Sequence, residues 1–226
     1  MKLRFTIPLL AILCLALAST ALAQQILFDD GPTNGTIEGL TIDGPNPGGP
    51  AQQQISDGFA ATGSGMANYF MAGIWVPTGE TPTTLTWWLG TSAFAGDLST
   101  GTEALNGSNS TFLFNNGFGY DIYEVTVTGL TGMITAGDTY YLTLGNGDTN
   151  FGDHLVYWDY NGVGTASCSF AQGGVDDGDC GLPLPEGEAF TLYGTPTGTV
   201  PEPGSLLLLG SGVLALAGLI RRRIGL

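Results

Sequence analysis

Between residues 24 and 200, apolar side chains recur at alternate positions in short runs closed by Gly, Thr, Asn and Pro, and nowhere at helical spacing. In the run 83–89, Leu85, Trp87 and Leu89 share one face, and Thr84, Thr86 and Trp88 share the other. Successive side chains of a strand point to opposite sides, so such a run offers one face to a core and one to water. The run 120–128 sets Tyr123, Val125 and Val127 against Ile122, Glu124 and Thr126, and 139–144 sets Tyr140, Leu142 and Leu144 against Thr139, Tyr141 and Thr143. The spacing predicts strands at 25–29, 36–42, 54–59, 69–76, 83–89, 111–114, 120–128, 139–144, 155–160, 166–170 and 189–193. It predicts a stiff Pro-rich loop at 45–50, a polar loop at 96–109 and a turn at 129–138. Many short strands divided by turns predict an all-β fold, an antiparallel two-sheet β-sandwich of jelly-roll kind rather than one closed barrel.

Charge narrows what such a body can do. All five Lys and Arg of the 226 residues are Lys2, Arg4, Arg221, Arg222 and Arg223, whereas nineteen of the twenty acids lie between residues 24 and 200. A body with formal charge −19 and no cation repels nucleic-acid phosphates and anionic lipid, and it suits cations or neutral sugars. Phosphate clamps and Schiff-base lysines are absent from it. His154, beside Asp153, is the single histidine, and it reads as a loop or core residue rather than the base of a triad. Two carboxylates suffice to hydrolyse a glycosidic bond, but nineteen acids make some such pair inevitable, so the count favours a non-catalytic body. A weak calcium site is open at Asp148, Asn150 and Asp153 in one loop and at Asp176, Asp177 and Asp179 in another. Neither fits the EF-hand pattern, and solvated turns are the plainer reading.

Both ends of the chain read as export signals. Lys2 and Arg4 precede an apolar run over 7–17, and Ala21, Leu22 and Ala23 form a small-residue cleavage site before Gln24, so residues 1–23 read as a secretory signal peptide with a signal helix. Cys14 leaves with that segment. Cys168 and Cys180 remain in an oxidising compartment and read as a disulfide, with free thiols as the alternative. At the other end, residues 204–220 carry no charge and span about 25 Å as a helix, the short end of a membrane crossing. Arg221, Arg222 and Arg223 hold the terminus on the cytoplasmic side and so place the body outside. The expected protein therefore has a single C-terminal transmembrane helix.

Ahead of that span stands Val200-Pro201-Glu202-Pro203. Each proline fixes its own φ and drives the residue before it out of helical geometry, giving an extended acidic tetrapeptide suited to a protease cleft. The tetrapeptide, the short span and the terminal arginines together resemble the PEP-CTERM sorting tail of bacteria that make extracellular polysaccharide. The resemblance implies that exosortase recognises the motif and removes the span, and that signal peptidase acts at the other end. Further stretches, Phe28-Asp29-Asp30-Gly31-Pro32-Thr33-Asn34-Gly35, Gly73-Ile74-Trp75-Val76 and Val156-Tyr157-Trp158-Asp159, are similar to one group of such proteins. That likeness implies a sandwich and supplies no catalytic residue. The organisation expected is a signal peptide over 1–23, a β-sandwich over 24–193, a flexible linker over 194–199 and the sorting tail over 200–226. The function expected is that of an exported surface or matrix protein associated with exopolysaccharide, not an enzyme and with no cofactor beyond calcium. The alternatives are a secreted carbohydrate-active enzyme and a permanently membrane-anchored adhesin.

Overall fold

A computed structural model of the chain describes residues 24–36, 38–44, 52–152, 155–161, 167–172, 175–179 and 187–197, together with Gly210 and Gly212. The strands are β1 (Gln25–Asp29), β2 (Glu38–Thr41), β3 (Gln53–Ala60), β4 (Gly65–Pro77), β5 (Pro82–Gly90), β6 (Ser99–Ala104), β7 (Ser110–Asn115) and β8 (Tyr120–Thr128). They continue with β9 (Met133–Ile134), β10 (Thr139–Thr149), β11 (Tyr157–Tyr160), β12 (Ser167–Gln172), β13 (Val175–Asp179) and β14 (Phe190–Pro196). The first sheet is built on β4, with β14 and then β1 on one side and β8 and then β7 on the other. Farther along β4, β11 and β2 take over from β14. The second sheet runs β13-β12-β3-β10-β5-β6. All these pairings are antiparallel. The chain crosses between the sheets from β3 to β4 to β5 and from β10 to β11 to β12, whereas β1–β2, β5–β6, β7–β8–β9 and β12–β13 follow one another within a sheet.

The alternating residues fill the space between the sheets. Leu27, Phe70, Ile74, Val125, Val127 and Leu192 from the first sheet meet Ile55, Leu85, Leu89, Leu142 and Leu144 from the second, all buried. Each such side chain contributes about 1.5–3 kcal/mol on leaving water. Aromatic rings join the layers: Phe28 stacks on Phe59 at 4.7 Å, Phe190 meets Phe59 edge-on at 5.5 Å, and Phe70 meets Trp87 edge-on at 6.3 Å.

The structure departs from the sequence reading where apolar alternation is silent. Part of the polar stretch 96–109 is a strand, β6, paired with β5 from Ser99↔Leu89 to Ala104↔Thr84. It is stabilised by a Thr86–Thr102 hydroxyl bond of 3.0 Å and by Gly101 lying against the Trp87 ring. The strand expected to begin at 69 starts at Gly65, because its first core-facing residues, Gly65 and Ala67, are small. The strand over 139–144 runs on to Thr149 through an irregularity between Gly145 and Asp148, where Asn146 has φ 52°. Asp176, Asp177 and Asp179 lie on β13, paired with β12, and not in a loop. Gly194, Thr195 and Pro196, read as the start of a linker, continue β14 against β4. A Cβ on Gly194 would lie 2.4 Å from the Met66 carbonyl oxygen, so the close β14–β4 approach requires glycine there. The expected signal peptide and the sorting tetrapeptide lie outside the described residues, as does the expected span over 204–220 apart from Gly210 and Gly212. Among the described residues no helix is long and apolar enough to cross a membrane.

Candidate functional sites on and between the sheets

The outer face of the first sheet carries a polar node. Asp159, on β11, is fully buried and accepts from three donors: the Trp75 indole Nε1–H at 2.6 Å, the Asn34 amide at 2.8 Å and the Gly35 amide at 2.9 Å. These bonds lay the segment 33–36 over β4, close above Gly73, where a Cβ would sit 2.4 Å from the Thr33 hydroxyl oxygen. Ile122, on the polar face of 120–128, is nonetheless fully buried, because this segment and Phe114 cover it from outside. Burial pushes the Asp159 carboxyl above its ordinary range, and the three donors hold it back.

A second group of acids lies inside the sandwich. Asp57 faces inward from β3 between Ile55 and Phe59, and it accepts the Glu188 amide at 2.9 Å. Asp30 follows β1, and its carboxyl bonds to that of Asp57. Two carboxyl groups can share a hydrogen bond only when one keeps its proton. Burial raises Asp30 to about 6, the bond to Asp57 opposes that rise, and the charge of Asp29 adds to it. Asn161 closes the cluster by donating from Nδ2 to the Asp30 carbonyl. Asp30, Asp57, Asn161 and Glu188 are all buried. Both carboxyl groups of this acid pair are shut off from solvent.

The third feature is the β7–β8 hairpin. Phe112, Leu113, Phe114 and Phe118 are 52%, 38%, 36% and 75% exposed. The tip is nevertheless tightly held. Asn116 Oδ1 accepts the Phe118 and Tyr120 amides, Asn115 Oδ1 accepts the Gly117 amide, and Asn115 Nδ2 donates to Asp121 and to Thr78. Gly117 and Gly119 adopt φ 76° and 100°, which favours glycine.

The residues singled out from the sequence are placed unevenly. Gln24 is exposed just ahead of β1. Asp148 lies on β10 and accepts the Thr149 amide at 2.8 Å, and Asn150 Oδ1 accepts the Thr81 amide at 2.8 Å. Both oxygens already serve the backbone. Among the described residues no group of three or more His, Cys, Asp or Glu is disposed to hold a metal ion. Cys168 lies on β12 opposite Asp57 in register. Asp153, His154, Cys180, Ala21, Ala23, Val200, Pro201, Glu202, Pro203, Arg221, Arg222 and Arg223 lie outside the described residues. Tyr160, at the end of β11, is buried. The sequence reading missed Asp30, Asp57 and Glu188 because their convergence is set by topology alone. The run Phe112-Leu113-Phe114 did carry a signal, since three consecutive apolar residues break the alternation of a half-buried strand.

Two facing antiparallel sheets, with the last strand leading straight to the chain's C-terminal segment, define an all-β, sandwich-like body at the head of a tail. Residues 199–223 match the PEP-CTERM protein-sorting motif. That match, confined to the C-terminal segment, supports exosortase-processed sorting of an exported protein. None of the curated proteins matches it.

Proposed function

We propose that the chain is a cell-surface or extracellular-matrix protein whose β-sandwich associates with extracellular polysaccharide without cleaving it. In this reading signal peptidase removes residues 1–23, the span over 204–220 anchors the precursor, and exosortase cuts at Val200-Pro201-Glu202-Pro203. The carrying observation is the sorting motif, whose match begins at residue 199, just past the end of β14 at Pro196. Two features support binding over catalysis. The buried Asp30–Asp57 pair is closed to a substrate. The outer face of the first sheet carries Tyr69, Tyr193, Tyr120 and Tyr157, with Tyr69 and Tyr193 stacked at 4.5 Å, and such rings join apolar area to a hydroxyl as neutral sugars require.

Intact mass of the extracellular form tests the processing, and retention on the host's own exopolysaccharide tests the binding. The wild type is expected to lack residues 204–226 and to be retained without releasing reducing ends. Replacing Pro201 and Pro203 by Ala is expected to leave the chain full-length at its C-terminus. If wild type and this variant share one mature mass with the span present in both, the protein is a permanently anchored adhesin. Steady release of reducing ends, lost on replacing one acid, would establish an enzyme instead.

A further inference from the structure

We propose that β7 is a docking edge for a second copy of this chain, so that the exported protein pairs with itself through the β7–β8 hairpin. Among the described residues, the strands bonded on one side only are β1, β2, β6, β7, β9 and β13. An open edge is a template for another strand, and charged side chains are the usual protection. Here β1 carries Asp29, β2 carries Glu38, β6 carries Glu103, and β13 carries Asp176, Asp177 and Asp179. The sequence of β7, Ser110 to Asn115, has no charge, and only the two-residue β9 shares that property.

The distribution of charge selects the occupant. In a body with no Lys or Arg, two copies meeting at any acidic edge repel, and β7 is the edge of useful length where like can meet like. A basic partner would be drawn to the acidic edges instead. A membrane is disfavoured by position. Pro196, where the tail departs, pairs with Gly65, whereas the hairpin side lies at the other end of β4, where Pro77 pairs with Tyr120. Twelve residues of strand put these ends about 40 Å apart. Residues 197–203 reach at most about 25 Å, so the start of the expected span cannot come up to the hairpin end of β4.

The geometry also sets the strength. An antiparallel β7–β7 contact is isologous, each copy presenting the same surface. The β-bulge between Phe112 and Phe114 limits the straight pairing edge to Ser110–Phe112. The exposed parts of Phe112, Leu113, Phe114 and Phe118 amount to about 400 Å² per copy, given aromatic side chains of about 200 Å² each. Phe112 and Phe114 pair with the adjacent Tyr123 and Ile122 and so lie on opposite faces; two copies bury at most about 800 Å² from these residues, less than a stable specific interface needs, so the dimer is weak and concentration-dependent. At a crowded surface, weak contacts among tethered copies reinforce one another.

Sedimentation velocity of the processed, exported protein across a wide concentration range tests this. The wild type is expected to shift from monomer to dimer, and added salt is expected to strengthen the dimer by screening the repulsion between acidic bodies. T111D, which puts like charges across the two-fold axis at the centre of Ser110–Phe112, is expected to weaken association by about a hundredfold while circular dichroism stays unchanged. T111C is expected to give a disulfide-linked dimer under oxidation. The proposal is overturned if the wild type stays monomeric throughout, if its dimer survives both T111D and F112D, or if T111C gives no cross-link. It is also overturned if these variants reduce retention on polysaccharide in a protein that never dimerises, which makes the hairpin a sugar platform. Loss of dimerisation with retention intact leaves the polysaccharide reading standing, so the two readings fail separately.

Discussion

Asp159 illustrates how single residues hold this protein together without a cation in the body. Where other surface loops use Lys or Arg, these loops are stapled by carboxylates accepting backbone amides: Asp43 takes Val156, Asp57 takes Glu188, Asp121 takes Gly79, and Asp159 takes Asn34 and Gly35. Asp159→Ala orphans three buried donors and is expected to cost about 3 kcal/mol or more, read as a lower urea midpoint, whereas Asp159→Asn retains one acceptor and costs less. The interior acids make stability depend on pH. Asp30 is raised from 3.8 to about 6, and Asp159 moves in the same direction, so the folded protein keeps protons that the unfolded chain releases. The Asp30 contribution is full below 3.8 and is lost as pH rises through about 6, and that of Asp159 changes in the same sense. Asp97, lowered by its two bonds from Thr91, acts in the opposite sense and only below that window. Unfolding free energy is therefore expected to be higher at the acid side of the window than at neutral pH. Asp30→Asn, which mimics the protonated acid, should flatten the profile, and an unchanged profile in that variant would refute the assignment.

Among the elements, the strands with one face on the core were legible and the edges were not. Leu85, Trp87 and Leu89 on β5 and Leu142 and Leu144 on β10 announce themselves by alternation, because the core selects every second residue. The edge strand β6 buries none of its residues, so Ser99–Ala104 shows the composition of a loop, and like Val175–Asp179 it reveals its state only through a neighbour's backbone. The outer layer over Ile122 was likewise hidden, since what covers it comes from residues 33–36, far away in sequence. The β12–β13 register bears on the cysteines. Ser169 faces Asp179, and the residues flanking that pair in sequence are Cys168 and Cys180. A disulfide there is expected to contribute about 3 kcal/mol. Thiol labelling of the unreduced, denatured exported protein is expected to find no reactive thiol, and two per chain would refute the bond.

For the molecule as a whole, nineteen acids and no cation between residues 24 and 200 other than the single His154 mean that long-range electrostatics oppose compaction. Moderate salt is accordingly expected to raise the urea midpoint of the processed form, with little further gain once the Debye length falls below the spacing of the charges. A fall in the midpoint with added salt would show that favourable pairs outweigh this repulsion. One feature of the topology reaches beyond stability. The last strand, β14, sits in the interior of the first sheet, between β1 and β4, and it bonds to a strand formed from the opposite end of the body. A chain threaded outward from its N-terminus cannot close that sheet until nearly all of it has emerged. On the reading that the tail stops in the membrane, the halting segment reaches the exit as β14 emerges, so completion of the sheet and arrest of the tail would fall at the same moment of transit. The protein would thereby stay pliable while it travels and become rigid when it stops.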